Sequence, residues 1–251
     1  MDLSERLARV NERICSAALA AGRSTADITL IAVSKTHPPE AVVEAANLGQ
    51  THFGESYIQE AVPKLETVSR AEGLDYTRKN NLVWHFIGHL QSRKAKEAAG
   101  KFNLIHTVDS PRLAQALHKQ MERLSENGLA ASPAGKLRQN VLVQVNIGRE
   151  EQKSGIMETE LPVMIEQILG LSRLSLKGLM CIPPFGAAPE AARPYFARLR
   201  ALGEEMEKKF GKGLLPHLSM GMSQDFEIAI AEGATLVRVG TDIFGERAYP
   251  Q

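Results

Sequence analysis

Lys35 follows the first strongly apolar segment of the chain. Residues 28–34, Ile-Thr-Leu-Ile-Ala-Val-Ser, are apolar and partly β-branched, which predicts a buried strand. Pro38 and Pro39 stop that strand and suit the first turn of a helix, so Lys35 lies where a parallel strand gives way to its helix. Ligands of α/β proteins bind at that carboxyl edge. An amine backed by an apolar strand loses part of its hydration, which makes Lys35 a candidate Schiff-base nucleophile; a surface lysine at the start of a loop is the alternative.

Two loops near the end of the chain have the composition of an anion-binding cradle. Residues 219–223, Ser-Met-Gly-Met-Ser, place small and hydroxyl side chains just before a predicted helix. Gly240 and Thr241 end the last predicted strand, where a glycine lets backbone N–H groups approach a ligand closely. Barrel enzymes often bind phosphate between the loops after strands seven and eight. The composition therefore favours a phosphate site here, with two ordinary tight loops as the alternative.

Arg238 is a cation inside the last predicted strand. Alternation places Leu236, Arg238 and Gly240 on one face of that strand. A buried arginine is costly unless it is paired. A structural partner such as Glu55 would satisfy it, and a ligand atom is the other reading.

A lysine amine, a phosphate cradle and a buried arginine together indicate pyridoxal 5′-phosphate. The lysine forms an imine with the aldehyde, the loops hold the phosphate, and a charged side chain meets the ring nitrogen. An arginine at that nitrogen disfavours its protonation, because two like charges would then be adjacent. The ring becomes a poorer electron sink than one paired with an aspartate.

Other chemically interesting residues are weaker candidates. His85 and His89 are four residues apart, but the intervening Gly88 and the strand pattern deny them a shared helical face, so no metal site is predicted. Lys177 is a rival Schiff-base lysine, but it falls in the first half of a strand, away from the carboxyl edge.

Composition excludes several classes of protein. The 251 residues are 43% hydrophobic and 24% charged with a formal net charge of +1, which fits a globular protein and gives no basic surface for nucleic acid. Cys15 and Cys181 are far apart and indicate a reducing compartment. The N-terminus is polar and no apolar run reaches the roughly 20 residues of a membrane helix. We therefore predict a cytoplasmic protein that contacts neither nucleic acid nor membrane.

The elements that must position these residues alternate regularly. An amphipathic helix is predicted over residues 3–21, before the first strand. Helices are predicted to follow each of the first seven strands, and Gly49, Gly100 and Gly170 end three of them. Loops are predicted at residues 75–81 and 127–139. Strands are predicted at residues 28–34, 51–55, 82–88, 103–108, 141–148, 174–182, 217–222 and 235–240.

Eight strands alternating with helices predict a parallel sheet closed into a (β/α)8 TIM barrel. A doubly wound open sheet is the alternative, but the sequence has neither a G-x-G-x-x-G after the first strand nor a phosphate-binding G-x-x-x-x-G-K-[ST]. The rhythm continues through the whole chain, so residues 1–251 are predicted to form a single domain.

Five motifs follow one another along the chain. They are Ala-Val-Ser-Lys-Thr at 32–36, Phe-Gly-Glu-Ser-Tyr-Ile-Gln-Glu at 53–60, Trp-His-Phe-Ile-Gly-His-Leu-Gln at 84–91, His-Leu-Ser-Met-Gly-Met-Ser at 217–223, and Val-Arg-Val-Gly-Thr at 237–241 with Ile-Phe-Gly at 243–245. In these motifs and their order the chain resembles the YggS/PROSC family of pyridoxal phosphate homeostasis proteins, and the resemblance covers nearly the whole chain. It implies a barrel like the N-terminal domain of alanine racemase, of fold type III among pyridoxal phosphate proteins, with an extra N-terminal helix.

The resemblance also implies roles for individual residues. It implies that the cofactor is held as a Schiff base on Lys35 and that Arg238 contacts the ring nitrogen. It implies phosphate contacts from Ser219, Gly240 and Thr241. Two further cofactor-binding candidates are Ser56, which stands where the family usually has asparagine, and His85, for which a core position is the alternative.

Two functions remain open from the sequence. One is a protein that carries pyridoxal 5′-phosphate in vitamin B6 homeostasis, with PLP-dependent apo-enzymes as possible partners. The other is a PLP-dependent amino-acid racemase, which in the two-base route needs a proton donor or acceptor on each face of the imine. In racemases a tyrosine from a second, β-rich domain supplies the other base, and the chain ends soon after the eighth strand. We therefore expect a carrier without a catalytic residue, and a monomer.

Overall fold

The computed structural model of this protein describes residues 1–74, 81–128, 137–150, 152–184 and 188–246. Residues 75–80 of the first predicted loop and 129–136 of the second lie outside the described residues. No helix in the described ranges is long and apolar enough to cross a membrane.

Eight parallel strands close into a barrel in which each strand pairs with its neighbours in chain order, and β1 pairs with β8. The predicted (β/α)8 barrel is therefore confirmed. The strands are β1 (Thr29–Val33), β2 (His52–Glu55), β3 (Val83–Phe86), β4 (Leu104–Val108), β5 (Gln139–Gln144), β6 (Leu174–Met180), β7 (His217–Met222) and β8 (Leu236–Val239).

Helices surround the barrel and begin with the predicted extra N-terminal helix. Short 3-10 turns add Thr25–Asp27, Ser92–Lys94, Glu158–Glu160 and Pro189–Ala192. The α-helices of the described residues are α1 (Leu3–Ala20), α2 (Pro39–Asn47), α3 (Ile58–Arg70), α4 (Ala95–Ala98), α5 (Pro111–Glu126), α6 (Leu161–Gly170), α7 (Arg193–Phe210), α8 (Phe226–Ala231) and α9 (Thr241–Phe244).

The core has an outer layer and an inner layer. Alternate strand residues face the helices and form a large apolar cluster with them, while the others fill the barrel. The inner apolar cluster consists of Ile31, Leu104, Leu142, Met180 and Leu236. Above and beside it the interior is polar, because strand positions two residues further on carry polar side chains such as His106 and Arg238.

Local irregularities move several predicted boundaries. The strand predicted at 141–148 is observed at Gln139–Gln144, with Val145 making only an isolated bridge to Ile156. The register between β5 and β6 shifts after Val141. Gly178 in β6 has a φ of +148°, and a Cβ there would lie 1.8 Å from the carbonyl oxygen of His217. Glycine is therefore required where β6 meets β7.

The N-terminal helix α1 is fixed to the last two helices of the barrel. Asp2 and Glu5 form a capping box at its start. Arg6 Nε donates to the carbonyl oxygen of Ile243 at 2.6 Å, and Arg23 Nη1 donates to the carbonyl oxygens of Ile230 and Ala234. Helix α1 therefore packs against the side of the barrel that carries the two predicted phosphate loops.

Candidate functional site

A cavity of about 880 Å³ opens at the carboxyl ends of the strands. This volume lies within the range of small-molecule sites. Its walls include helix α1, the turn after β1, and the loops after β2, β6, β7 and β8. The predicted site residues that line it are Lys35, Ser56, Arg238, Gly240 and Thr241.

The backbone on both sides of Lys35 is held by a buried ion-pair network. Lys64 Nζ in α3 donates to the carbonyl oxygen of Ser34 at 2.8 Å. The backbone N–H of Thr36 donates to Glu60 Oε1 at 2.7 Å, and Lys64 Nζ lies 2.6 Å from the same oxygen. Thr36 has a φ of +66°, which is rare for a β-branched residue. These bonds stabilise the sharp turn that presents Lys35 to the cavity.

Glu55 belongs to this network and not to Arg238. Glu55 Oε1 accepts from Ser34 Oγ at 2.7 Å and lies 2.8 Å from Lys64 Nζ. Burial raises the pKa of Glu55, and the charge of Lys64 opposes that rise. The structural partner suggested for Arg238 from the sequence is therefore wrong, because Glu55 faces α3 instead of the barrel interior.

Arg238 is 4% exposed, and its guanidinium donates hydrogen bonds to two neutral groups. Its Nη1 donates to Ser219 Oγ at 2.6 Å and its Nη2 to the carbonyl oxygen of Cys181 at 3.0 Å. Burial raises the pKa of the Cys181 thiol to about 12, so that side chain is no anion. Burial lowers the pKa of Arg238, while the more distant Asp225 opposes that effect. Among the described residues no carboxylate forms an ion pair with this guanidinium.

Ser219 and His85 lie below the cavity. Ser219 is completely buried, and its hydroxyl bonds to Arg238 and to Nδ1 of His106. His85 is 3% exposed and lies between His52 and His106 at 2.9 Å from each. In this structure His85 therefore has the core position that the sequence analysis gave as the alternative to a cofactor-binding role. Ser219 does not line the cavity, whereas Ser223 in the loop after β7 does.

The two predicted phosphate loops meet at the cavity wall. The N–H of Gly240 donates to Ser223 Oγ at 3.4 Å. Gly221 has a φ of +88°, and a Cβ there would lie 2.6 Å from Cβ of Ala229. The glycine of the β7 loop is therefore needed for both its conformation and its packing. Asp225 is the residue before α8, and its side chain accepts from the N–H of Met222.

Arg13 of α1 joins these loops and was missed by the sequence analysis. Its guanidinium pairs with Glu227 of α8 and Asp242 of α9, and it also donates to the carbonyl oxygen of Ser223. It lies over the ring of Phe226 at 4.4 Å from the centroid. An arginine on an amphipathic helix normally faces solvent, so its sequence position gives no signal of this contact.

Ser56 is held against the next loop of the barrel. A Cβ on Gly88 would lie 1.9 Å from the carbonyl oxygen of Ser56, so only glycine lets the loops after β2 and β3 approach this closely. The hydroxyl of Thr107 donates to the carbonyl oxygen of Gly88 at 2.6 Å. The side chain of Ser56 thereby reaches the cavity on a supported backbone.

The rival candidates lie elsewhere. Lys177 does not line the cavity, and the neighbouring Gly178 pairs with His217 at the amino end of β7. His89 lies 3.4 Å from Asp109, whereas His85 bonds to His52 in the barrel interior. No group of three potential metal-ligating side chains occurs in the part of the chain that the structure describes.

Comparison with known proteins places the chain in a family. The model of the family "Alanine racemase, N-terminal domain" matches residues 16–248. A pyridoxal phosphate homeostasis protein of Aquifex aeolicus is 44% identical over 249 residues, which are 99% of this chain and 100% of that one. The homologue of the same name from Escherichia coli K12 is 42% identical over 253 residues, with 99% and 98% covered.

A solved structure agrees with these relatives and with the resemblance read from the sequence. PipY, the COG0325 family member of Synechococcus elongatus PCC7942, solved with PLP bound, is 33% identical with a TM-score of 0.78. The match covers 97% of this chain and 100% of that one. The chain therefore belongs to the alanine racemase N-terminal domain family and, within it, to the pyridoxal phosphate homeostasis proteins.

Proposed function

We propose that this protein binds pyridoxal 5′-phosphate in the cavity and holds it on Lys35. The observation that carries the proposal is that Lys35 and Arg238 share one cavity, while the buried guanidinium of Arg238 donates to two neutral groups, the hydroxyl of Ser219 and the carbonyl of Cys181. A buried cation that is hydrogen-bonded only to neutral groups is unfavourable, and a ligand atom that accepts a further hydrogen bond from it offsets part of that cost.

The cavity fits the parts of this cofactor. The loops that carry Ser223, Gly240 and Thr241 offer hydroxyl and backbone N–H donors to a phosphate. Arg238 lies deeper, where its guanidinium can donate to an unprotonated ring nitrogen. The supported turn at residues 34–36 presents Lys35 at the end of β1, the strand that pairs with β8.

When bound, pyridoxal phosphate would supply an aldehyde that is electrophilic toward an amine, and Lys35 would hold it there. The protein's own part is to bind and orient. The Glu55–Lys64–Glu60 network fixes the Lys35 backbone, the two loops hold the phosphate, and Arg238 keeps a positive charge beside the ring. That charge disfavours a proton on the ring nitrogen and so weakens the ring as an electron sink. The site is therefore better suited to holding the cofactor than to rapid carbanion chemistry.

The resulting function is intracellular homeostasis of vitamin B6, in which the protein carries the cofactor without catalytic turnover. The names of its relatives support this function, since they are named pyridoxal phosphate homeostasis proteins. Transfer to PLP-dependent apo-enzymes, a monomeric state and a cytoplasmic location stay predictions.

Racemase activity is the alternative, and it requires a second acid opposite Lys35. Tyr57 is 51% exposed and does not line the cavity. Tyr195 packs against the outer core. Tyr76 and Tyr249 lie outside the described residues. The described part of the cavity therefore offers no tyrosine for the second face.

Borohydride reduction tests the proposal. Purified protein with added pyridoxal phosphate is expected to show the visible absorption of a lysine imine, and reduction followed by peptide mapping should place the pyridoxyl group on Lys35. The Lys35→Ala variant should lose the band, whereas Lys177→Ala should keep it. A stable label on Lys177, or an unchanged band in Lys35→Ala, would overturn the assignment.

A further inference from the structure

Three histidines form a continuous line of hydrogen bonds through the barrel, beneath the cavity. His52 Nδ1 lies 2.9 Å from His85 Nε2, and His85 Nδ1 lies 2.9 Å from His106 Nε2. His106 Nδ1 lies 2.8 Å from Ser219 Oγ, which lies 2.6 Å from Arg238 Nη1. The line therefore runs from β2 through β3 and β4 to β7 and β8, and it ends on the arginine that lines the cavity.

The direction of each bond follows from the protons available. The guanidinium of Arg238 only donates, so Ser219 Oγ accepts from it. Ser219 is completely buried, and within the described ranges the acceptor bonded to its hydroxyl is His106 Nδ1. Ser219 therefore donates to His106, and neutral His106 carries its ring proton on Nε2, facing His85.

The same reasoning continues to the end of the line. His85 accepts on Nδ1, so its proton lies on Nε2 and is donated to Nδ1 of His52. His52, the first residue of β2, then also carries its proton on Nε2. The reverse order would leave the proton of buried Ser219 without an acceptor, and it would point N–H groups toward the cation of Arg238.

All three rings are kept neutral by their surroundings. Burial lowers the pKa of His85 to about 3, and the neighbouring His52 adds to the effect. Burial lowers the pKa of His106 well below its usual value, and His85 and Arg238 lower it further. The pKa of His52 is lowered by burial and by His217.

We infer that His52, His85 and His106 are positioning residues for Arg238: three neutral imidazoles, each protonated on Nε2, that fix the hydroxyl of Ser219 and through it the guanidinium at the cavity. This functional role rests on the proposed binding of pyridoxal phosphate, whereas the protonation pattern belongs to the protein alone. Because arginine does not give up its proton in proteins, the line orients the guanidinium and does not conduct protons to the ligand.

Nitrogen-15 NMR of the ligand-free protein tests the pattern directly. Two-bond correlations between ring nitrogens and carbon-bound protons distinguish the two neutral tautomers from the cation, and single substitutions assign the signals. At neutral pH we expect the Nε2–H tautomer at His52, His85 and His106. An Nδ1–H tautomer or an imidazolium at His85 or His106 would overturn the inference, whatever the outcome for cofactor binding.

A pair of variants tests the positioning role through the bound cofactor. His106→Asn keeps an acceptor oxygen near the place of Nδ1, whereas His106→Leu removes it. We expect His106→Leu to weaken pyridoxal phosphate binding about tenfold, as for loss of one hydrogen bond to a charged group, and to shift the visible absorption maximum. His106→Asn should stay near the wild-type affinity and maximum.

The control is His118→Asn on α5, outside the barrel interior. It should leave the affinity and the absorption maximum unchanged. Equal behaviour of His106→Asn and His106→Leu would contradict the positioning role. If His106→Leu does not fold, the tautomers of the wild-type protein still decide the inference. A wild-type protein that binds no pyridoxal phosphate would refute the proposed function and leave the tautomer result to stand by itself.

Discussion

Lys64 and Glu55 form an ion pair of 2.8 Å in which the side chains are only 4% and 0% exposed. The same ammonium bonds the carbonyl oxygen of Ser34, which directly precedes Lys35. A buried ion pair adds little stability by itself, because desolvation offsets the attraction. Its value here is positional, since it joins α3 to the turn that presents the cofactor-binding lysine.

Removing one partner of this pair should therefore be costly. We expect Lys64→Met to lower the free energy of unfolding by about 3 kcal/mol, because Glu55 is left buried without its cation. Urea unfolding monitored by circular dichroism measures the change. The matched control is Lys101→Met, since Lys101 and Glu66 form an exposed pair at 3.9 Å whose loss should cost less than about 1 kcal/mol.

The double variant Glu55→Gln/Lys64→Met separates stability from positioning. With both charges removed, part of the stability lost in Lys64→Met should return. The turn at Lys35 still lacks its support from Lys64, so the visible band of the bound cofactor should form more slowly than in the wild type. Wild-type stability in Lys64→Met alone would show that the pair is not buried as described.

Arg238 should control the electronic state of the bound cofactor. Arg238→Glu replaces a cation with an anion that favours a protonated ring nitrogen, so we expect weaker binding and a shifted absorption maximum. Arg238→Lys keeps the charge but loses the two-pronged contact to Ser219 and Cys181, so it should bind more weakly with a smaller shift. An unchanged spectrum in Arg238→Glu would show that Arg238 does not contact the ring of the cofactor.

The sequence predicted the barrel because its local signals agree. Each apolar segment is short and is followed by a helical pattern, and the ends of strands mark where ligands bind. Lys35 and Arg238 could be found in this way, because strand ends and strand alternation are visible without a structure. Ser110 could also be assigned as a helix cap, and its hydroxyl does accept from the N–H of Leu113.

The contacts across the barrel could not be predicted, because they depend on strand register. The register shifts between β4 and β5, between β5 and β6, and between β7 and β8. The bond from His106 on β4 to Ser219 on β7 crosses the interior and leaves no periodic trace in the sequence. Lys64 was missed for a similar reason, since a lysine on an amphipathic helix normally faces solvent.

The loops after β7 and β8 should recognise the phosphate group specifically. We expect Ser223→Ala/Thr241→Val to weaken pyridoxal 5′-phosphate about tenfold or more, because hydrogen bonds to a charged group are lost, and to affect pyridoxal little. Absorption titrations with the two ligands measure the ratio. Ser219→Ala, which acts on Arg238 instead, should weaken both ligands by similar factors. Equal losses in the double variant would argue against a phosphate cradle.

The histidine line should make the protein sensitive to acid. Burial lowers the pKa of folded His85 to about 3, whereas an unfolded histidine titrates near 6.5. The contribution of neutral His85 to the free energy of unfolding is fully present above about pH 6.5. It is lost as the pH falls toward about 3, by up to about 1.4 kcal/mol per pH unit. Glu55 has the opposite effect on stability as the pH falls, because burial raises its pKa.

The difference in stability between the wild type and His85→Asn isolates the contribution of His85. Urea unfolding at pH 7.5, 6 and 5 should show a stability that falls more steeply with acid in the wild type than in the variant. Parallel curves would mean that His85 takes up a proton as readily in the folded protein as in the unfolded chain, against the neutral line described for the barrel interior.

The balance between carrier and racemase can be decided by exchange at Cα of amino acids. Racemisation needs an acid on the second face of the cofactor, and one well-placed general acid or base contributes roughly 10²–10⁴ in rate. The positive charge of Arg238 beside the ring further disfavours carbanion formation. We therefore expect the holo-protein, incubated with common L-amino acids in deuterated water, to exchange Cα hydrogen and form D-isomers far more slowly than about 1 s⁻¹, the low end of ordinary enzymes. Lys35→Ala provides the background rate. Turnover above that value in the wild type would overturn the carrier function and make the protein a racemase.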